Sequence, residues 1–288
     1  MFSKFDEKKI KYFINNYKEF DRKKVVFDGD TASSVIVNSL ENMFKKQKDF
    51  YEKFYLDQKI INKVEDLKQT LRLKVINEFI LKYKNLNRKI LVVGCGAGKD
   101  ASIFKKKVFM LDLAFNAVKI TKEKFPKNIY LVADATHLPF KDKSFDCVVC
   151  SEVIEHIPDS QKAINEFHRV LRSRGELIIT TPNWISWYGV ARKIAEFILR
   201  RPITSANQPF DNWYTFKTLQ KQLRLNFRIV EVRGVWYYPP TGKGCFRLPD
   251  FLIFPIFKLF QPLDYFLGKT FPSFGSHIIA VRCIKKEF

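Results

Sequence analysis

The stretch that most constrains this chain is Lys89-Ile90-Leu91-Val92-Val93-Gly94-Cys95-Gly96-Ala97-Gly98-Lys99-Asp100. A short apolar run of β type feeds directly into three glycines at alternate positions. Such a pattern lets a buried parallel strand turn into a helix over a nucleotide. Glycine tolerates the backbone angles of the turn and, having no side chain, lets a ligand touch the backbone. Glycine-rich turns also serve ordinary packing, so the turn alone fits both uses. The residues that follow narrow the choice.

A second apolar strand, Val108-Phe109-Met110-Leu111, ends in Asp112, 18 residues after Gly94. An acidic residue at that distance sits at the tip of the neighbouring strand, where it can accept hydrogen bonds from ribose hydroxyls. A solvated strand-end aspartate is the plainer alternative. A third strand, Ile129-Tyr130-Leu131-Val132, leads into Ala133-Asp134-Ala135. Asp134 is placed to accept from an exocyclic amine on a base, or to serve as a turn aspartate bonding its own backbone. Leu138-Pro139-Phe140 through Phe145-Asp146 precede a fourth strand, Cys147-Val148-Val149-Cys150, and then Ser151-Glu152-Val153-Ile154-Glu155-His156-Ile157. A helix is expected from Asp159, a good N-cap, with Ala163, Ile164, Phe167, Val170 and Leu171 on its apolar face. Arg174-Gly175 should close it, with Gly175 as the left-handed cap. A fifth strand, Leu177-Ile178-Ile179-Thr180, ends at Thr181-Pro182-Asn183.

This series resembles the class I S-adenosylmethionine-dependent methyltransferases, in particular the branch with the quinone-biosynthesis and small-molecule enzymes. The resemblance rests on Val93 through Gly98, the Asp112 strand end, Ala133-Asp134-Ala135, Leu138 through Asp146, Glu155-His156, and Arg169-Val170-Leu171 through Gly175. It covers residues 86–183 well and reaches weakly to 235; the first 85 and last 50 residues are not covered. It implies an α/β fold, a Rossmann-like seven-stranded doubly wound sheet. A helical N-terminal extension (1–85) would precede an S-adenosylmethionine-binding domain (86–288). By the same resemblance, Gly94, Cys95, Gly96 and Gly98 pass the methionine part of the cofactor. Asp112 holds the ribose hydroxyls and Leu113 packs on the adenine. Asp134 and Ala135 read the adenine edge, and Ser151 and Glu152 face the sulfonium. No metal is expected.

Hydrophobic residues make up 46% of the 288, enough for one large core. No apolar run approaches the ~18 residues needed to span a bilayer, and the first residues lack a signal-peptide core. A cytoplasmic protein, peripheral to the membrane if attached at all, is expected. Cys147 and Cys150 lie three apart in a strand and so point to opposite faces, where they cannot share a metal. All five cysteines read as reduced thiols.

The formal net charge is +21. Residues 1–88 contribute +7, 89–183 contribute +4 and 184–288 contribute +10, so the excess lies outside the cofactor core. That balance suits an anionic partner, whether nucleic acid, a phospholipid surface or an acidic substrate; a lysine-rich genome is the bland explanation.

The N-terminal 85 residues look helical. Leu67, Leu71, Leu73, Val75, Ile76, Phe79, Ile80 and Tyr83 form an amphipathic helix that should pack on the sheet. Tyr51, Phe54 and Tyr55 suit a lid over the cofactor, although plain core packing weighs more. Beyond the fifth strand come a helix (216–225), a sixth strand (228–232) and a last strand (276–282). Two insertions interrupt them, 184–213 and 235–275, both aromatic and edged with Arg and Lys. Each leaves the carboxyl end of a strand, where ligands bind in open α/β sheets, and should cap the acceptor. The mixture suits a small or lipid-like acceptor near an anionic membrane, base stacking over nucleic acid, or a dimer contact.

Methyl transfer is a displacement at an activated carbon, for which the protein mainly supplies alignment and a dry site. An oxygen acceptor would benefit from a base, and His156 is the candidate; organising its own loop is the weightier role. A nicotinamide dehydrogenase fits less well, because the spacing is Gly-x-Gly-x-Gly. An RNA or protein methyltransferase is the nearer alternative. The Ser151-Glu152-Val153-Ile154 segment lacks the Asn/Asp-Pro-Pro-aromatic pattern of enzymes that methylate base amines. A non-catalytic S-adenosylmethionine-binding subunit is less consistent with the intact Gly94, Asp112 and Asp134.

Overall fold

Short apolar runs bounded by polar turns become strands. The computed structural model describes residues 45–55, 63–82, 88–200, 203, 208–238 and 250–287. Its strands are β1 (Ile90–Val93), β2 (Phe109–Asp112), β3 (Ile129–Val132), β4 (Phe145–Ser151), β5 (Leu171–Pro182), β6 (Phe227–Val235) and β7 (Ile278–Lys285). They form one sheet in the order β3-β2-β1-β4-β5-β7-β6. β1 pairs in parallel with β2 and β4, β2 with β3, and β4 with β5. β7 runs antiparallel between β5 and β6. Strand order reverses between β1 and β4, the switch point where open sheets of this kind leave a crevice at their carboxyl edge.

The helices are α1 (covering 45–55), α2 (Lys63–Leu81), α3 (Phe115–Lys124), α4 (Ser160–Val170), α5 (Trp187–Leu199), α6 (Phe216–Asn226) and α7 (Asp250–Thr270). Side chains alternate across each strand, which gives the sheet two apolar faces. Leu91, Val93, Val148 and Cys150 meet Ile164 and Phe167 of α4 and Leu219 and Leu223 of α6. Val92, Met110, Cys147 and Val149 meet Val75, Ile76 and Phe79 of α2 on the other face. Cys147 and Cys150 therefore lie in different layers, as their spacing requires. The described cysteines (95, 147, 150 and 283) are buried free thiols.

Asp159 caps α4, accepting the Lys162 amide at 3.0 Å. The helix then stops at Val170 rather than at Arg174-Gly175. From Leu171 the chain pairs with β4, first Phe145 with Leu171 and, after a register shift, Cys147 with Glu176. Ladder bonds on a buried sheet outcompete another helical turn there. Arg174 takes the left-handed backbone, at φ 58°, not Gly175. Gly175 is required for close approach instead, since a Cβ on it would lie 2.8 Å from the Arg172 carbonyl.

One buried charge cluster ties the sheet together. Glu176 accepts from Arg88 ahead of β1 and from Arg282 of β7, each at 2.7 Å. At the carboxyl edge, the Asn183 side chain donates to the carbonyls of Ile185, Ser273 and Ser276. That stitch joins the start of α5 to the segment after α7. Within the expected extension 1–85, α1 and α2 are helical. Its expected boundary, Tyr83, Arg201, Lys243, Cys245 and Arg247 lie outside the described residues.

Candidate functional site

The turn after β1 needs its glycines. Gly94, Gly96 and Gly98 adopt φ of +74°, +49° and +87°, a region that costs other L-residues about 1–2 kcal/mol each. The space is also taken: a Cβ on Gly94 would run into Val153, and one on Gly96 would lie 2.9 Å from the Tyr55 hydroxyl. The amides of Gly94 and Cys95 both donate to the Leu111 carbonyl, at 2.7 and 2.9 Å. The Gly96 amide donates to Asp112 Oδ2 at 2.8 Å, and Asp112 Oδ1 accepts the Ala114 amide at 3.0 Å. The turn and the tip of β2 are thus one hydrogen-bonded unit.

Beside this unit lies a cavity of about 300 Å³. All the residues expected to contact a cofactor, except Gly98, line it: Gly94, Cys95, Gly96, Asp112, Leu113, Asp134, Ala135, Ser151 and Glu152. Gly98 sits behind the turn, packed toward Thr121 and Phe125 of the helix side. Burial pushes the Asp112 carboxyl up to about 6, against the pull of the Ala114, Gly96 and Leu113 amides. Asp134 uses one oxygen for the Thr136 amide and the other for the Thr136 hydroxyl, both at 2.8 Å. It therefore shapes its own turn while facing the cavity. Ser151 bonds the Thr180 hydroxyl at 3.0 Å, and Glu152 accepts from the same hydroxyl at 3.2 Å. Glu152 holds φ +55°, a strained backbone of the kind that collects at functional sites.

His156 also lines the cavity. Its ring is mostly buried between Glu155, with Nε2 3.7 Å from Oε1, and Asp211, with Nδ1 3.9 Å from Oδ1. Burial lowers its pKa, partly countered by Asp211. Glu155 is fully buried and pushed well up, by desolvation first and then by Glu152; it accepts the Thr181 hydroxyl at 3.0 Å. The His156 main chain is engaged as well, its carbonyl accepting from Gln47.

Among the described residues, α1 and α2 build the wall opposite the sheet. Tyr51, Phe54 and Tyr55 of α1 line the cavity instead of a core. Glu52 anchors α1 by accepting the Phe115 and Asn116 amides, at 2.7 and 2.9 Å, at the start of α3. The first insertion reaches only the rim, where Gln208 accepts from the Tyr51 hydroxyl at 3.3 Å. The second folds back as α7 against α2 and β6. Phe257 of α7 is buried there against the rings of Trp236 and Tyr238, with centroids 5.1 and 4.5 Å away.

Sequence reasoning missed Arg72. Its guanidinium is buried in the cavity wall, pairs with Asp100 at 2.6 Å and donates to Ser151. Its buried Nε has no hydrogen-bond partner among the described residues. The signal was present: Arg72, Val75, Ile76 and Phe79 share helical spacing, so a cation interrupts an apolar stripe. Among the described residues no three His, Cys, Asp or Glu side chains are grouped to hold a metal. Leu113, Ala135, the carboxylates at two strand tips and the buried Arg72–Asp100 pair all line the cavity.

Residues 91–179 match the family described as a methyltransferase domain. An uncharacterized protein of Methanocaldococcus jannaschii is 28% identical over 240 residues, 82% of this chain and 97% of that protein. The ubiquinone/menaquinone biosynthesis C-methyltransferase of Rickettsia typhi is 34% identical over 117 residues, 35% of this chain and 47% of that enzyme. The chain thus spans under half of that enzyme's length. The crystal structure of magnesium protoporphyrin IX methyltransferase from Synechocystis shares the fold, with a TM-score of 0.57 at 12% identity over 87% of this chain and 100% of that one.

Proposed function

We propose that this chain, whose residues 91–179 match a methyltransferase domain, is a class I S-adenosylmethionine-dependent methyltransferase that methylates a small or lipid-like acceptor in the cavity under α1. The observation that carries the reading is the Gly94–Gly98 turn, bonded to Asp112 beneath a cavity at the β1/β4 switch point. The cradle fits the methyl donor, because side chains at Gly94 or Gly96 would fill it. S-Adenosylmethionine supplies a methyl group on a sulfonium, which an acceptor electron pair displaces from sulfur.

In this reading Asp112 accepts the ribose hydroxyls with the carboxylate lone pairs that its amide contacts leave open. Leu113 packs on the adenine, and Asp134 and Ala135 face its edge. Gly94, Cys95, Gly96 and Gly98 carry the chain past the methionine part. Arg72, in the cavity wall, meets the methionine carboxylate, and Asp100 meets the ammonium. Ser151 and Glu152 face the sulfonium. Tyr51, Tyr55 and Phe54 exclude water, which strengthens the electrostatics inside. His156, held neutral by burial, takes the proton from an oxygen acceptor. Relatives over the matched region include a ubiquinone/menaquinone biosynthesis C-methyltransferase and a malonyl-[acyl-carrier protein] O-methyltransferase, and the first of these supports an apolar acceptor. We place the protein in the cytoplasm, at the membrane periphery.

The test uses purified chain, methyl-labelled S-adenosylmethionine and a cell extract, with products divided into organic, nucleic-acid, protein and aqueous fractions. Label in the organic phase or among small aqueous molecules is expected. Label in RNA or protein would overturn the acceptor class. No binding of S-adenosylmethionine by calorimetry would overturn the reading altogether.

A further inference from the structure

A second cavity, of about 360 Å³, lies between α2, β6 and α7, away from the glycine turn. Lys74, Arg233 and Lys258 line it. Its carboxylate, Asp264, is turned inward and accepts the Tyr237 amide at 2.7 Å and the Trp236 amide at 3.4 Å. Arg233 is held in place by Glu231 at 2.6 Å. Lys74 and Lys269 both stand over the Tyr265 ring, at 5.5 and 4.3 Å.

Beside this basic hollow, α7 exposes a wide apolar surface. Leu259 is 74% exposed and Phe266 60%, with Ile256, Phe260 and Leu263 also in solvent. From 255 to 274 the exposed charges are Lys258 and Lys269, and the sole acidic residue is the buried Asp264. The same character continues past the helix end, where Phe274 is 69% exposed. Contiguous exposed apolar surface of this kind marks an interaction site.

We propose that this face of the molecule docks on an anionic lipid bilayer, with the cavity of Lys74, Arg233 and Lys258 receiving a phosphate headgroup and α7 lying among the acyl chains beneath. No described helix is long and apolar enough to cross a membrane, so α7 lies along the interface, as amphipathic anchors do. Charge selects the occupant. A two-fold contact with a second copy would bring together two copies of a face whose exposed charges, Lys258 and Lys269, are both basic, which like-charge repulsion opposes. Anionic headgroups neutralise them. The inference rests on the membrane-peripheral placement proposed above, and not on methyl transfer itself.

The experiment is co-sedimentation of the full chain with vesicles of phosphatidylglycerol and phosphatidylcholine in equal parts, against phosphatidylcholine alone. Binding to the anionic vesicles only, weakening as salt is raised, is expected. Leu259→Gln with Phe266→Gln should reduce it at least about tenfold, and Lys74→Gln with Lys258→Gln should do the same. These are exposed side chains, so the unfolding midpoint and S-adenosylmethionine affinity should stay at the wild-type values. No binding by the wild type, or undiminished binding by the Leu259/Phe266 variant, overturns the proposal. So does a dimer in sedimentation velocity that this variant dissolves while vesicles have no effect. Lost cofactor binding with vesicle binding intact would leave this proposal standing and remove only the methyl-transfer reading.

Discussion

Asp112 carries opposite pH signatures for folding and for ligand binding. Burial raises it to about 6, from about 3.9 in an unfolded chain. The folded state holds the proton between those values. Its contribution to stability is full below about 4 and is lost as pH rises through about 6. Ribose hydroxyls need the ionised form, so affinity for S-adenosylmethionine should fall as pH drops below about 6. Asp112→Asn should weaken binding at least about tenfold and flatten that profile in calorimetric titrations; an unchanged affinity would take Asp112 out of the site. Arg72→Met should leave Asp100 buried without its cation, at a cost of about 3–5 kcal/mol in denaturant unfolding. Arg72→Lys should keep much of that stability yet not restore cofactor affinity, because one ammonium cannot reach Asp100, Ser151 and a ligand together. Equal affinity in the Lys variant would reduce Arg72 to a structural role.

Elements built from local signals were legible in the sequence; elements set by distant partners were not. β1, β2 and β3 follow directly from apolar runs that end in a glycine, an aspartate or an Ala-Asp turn. The Asp159 cap is visible because its partner, Lys162, is three residues away. The end of α4 was not, because pairing across the sheet with Phe145 decides it. Likewise, the aromatic triplet of α1 was readable as a lid or as core. What settles its position is Glu52 capping α3, 63 residues on in the chain. Glu52→Ala should therefore cost about 1 kcal/mol, as a lost N-cap does, and release the cofactor several-fold faster in stopped-flow fluorescence. A dissociation rate equal to wild type would mean that α1 does not restrain the ligand. Glu176→Ala should be the more severe change, removing the buried carboxylate that Arg88 and Arg282 both donate to, at about 3–5 kcal/mol in urea unfolding. A loss below about 1 kcal/mol would show that water reaches that cluster.

Across the whole molecule, the glycine turn couples ligand to fold. S-Adenosylmethionine at about a hundred times its dissociation constant should stabilise the protein by about 2.7 kcal/mol, read as a raised melting temperature. Gly94→Ala, which collides with Val153 and strains φ, should show no such rise. A full rise in that variant would place the ligand elsewhere. The position of β7 has a separate consequence, for synthesis. β6 reaches the sheet only through β7, yet it is made first. The ribosome must add the roughly 40 residues that follow it before β7 exists, a wait of several seconds at about 5–20 residues per second. During that interval β5 and β6 each present an open edge to solvent, and a chaperone that shields nascent strands would find its target there.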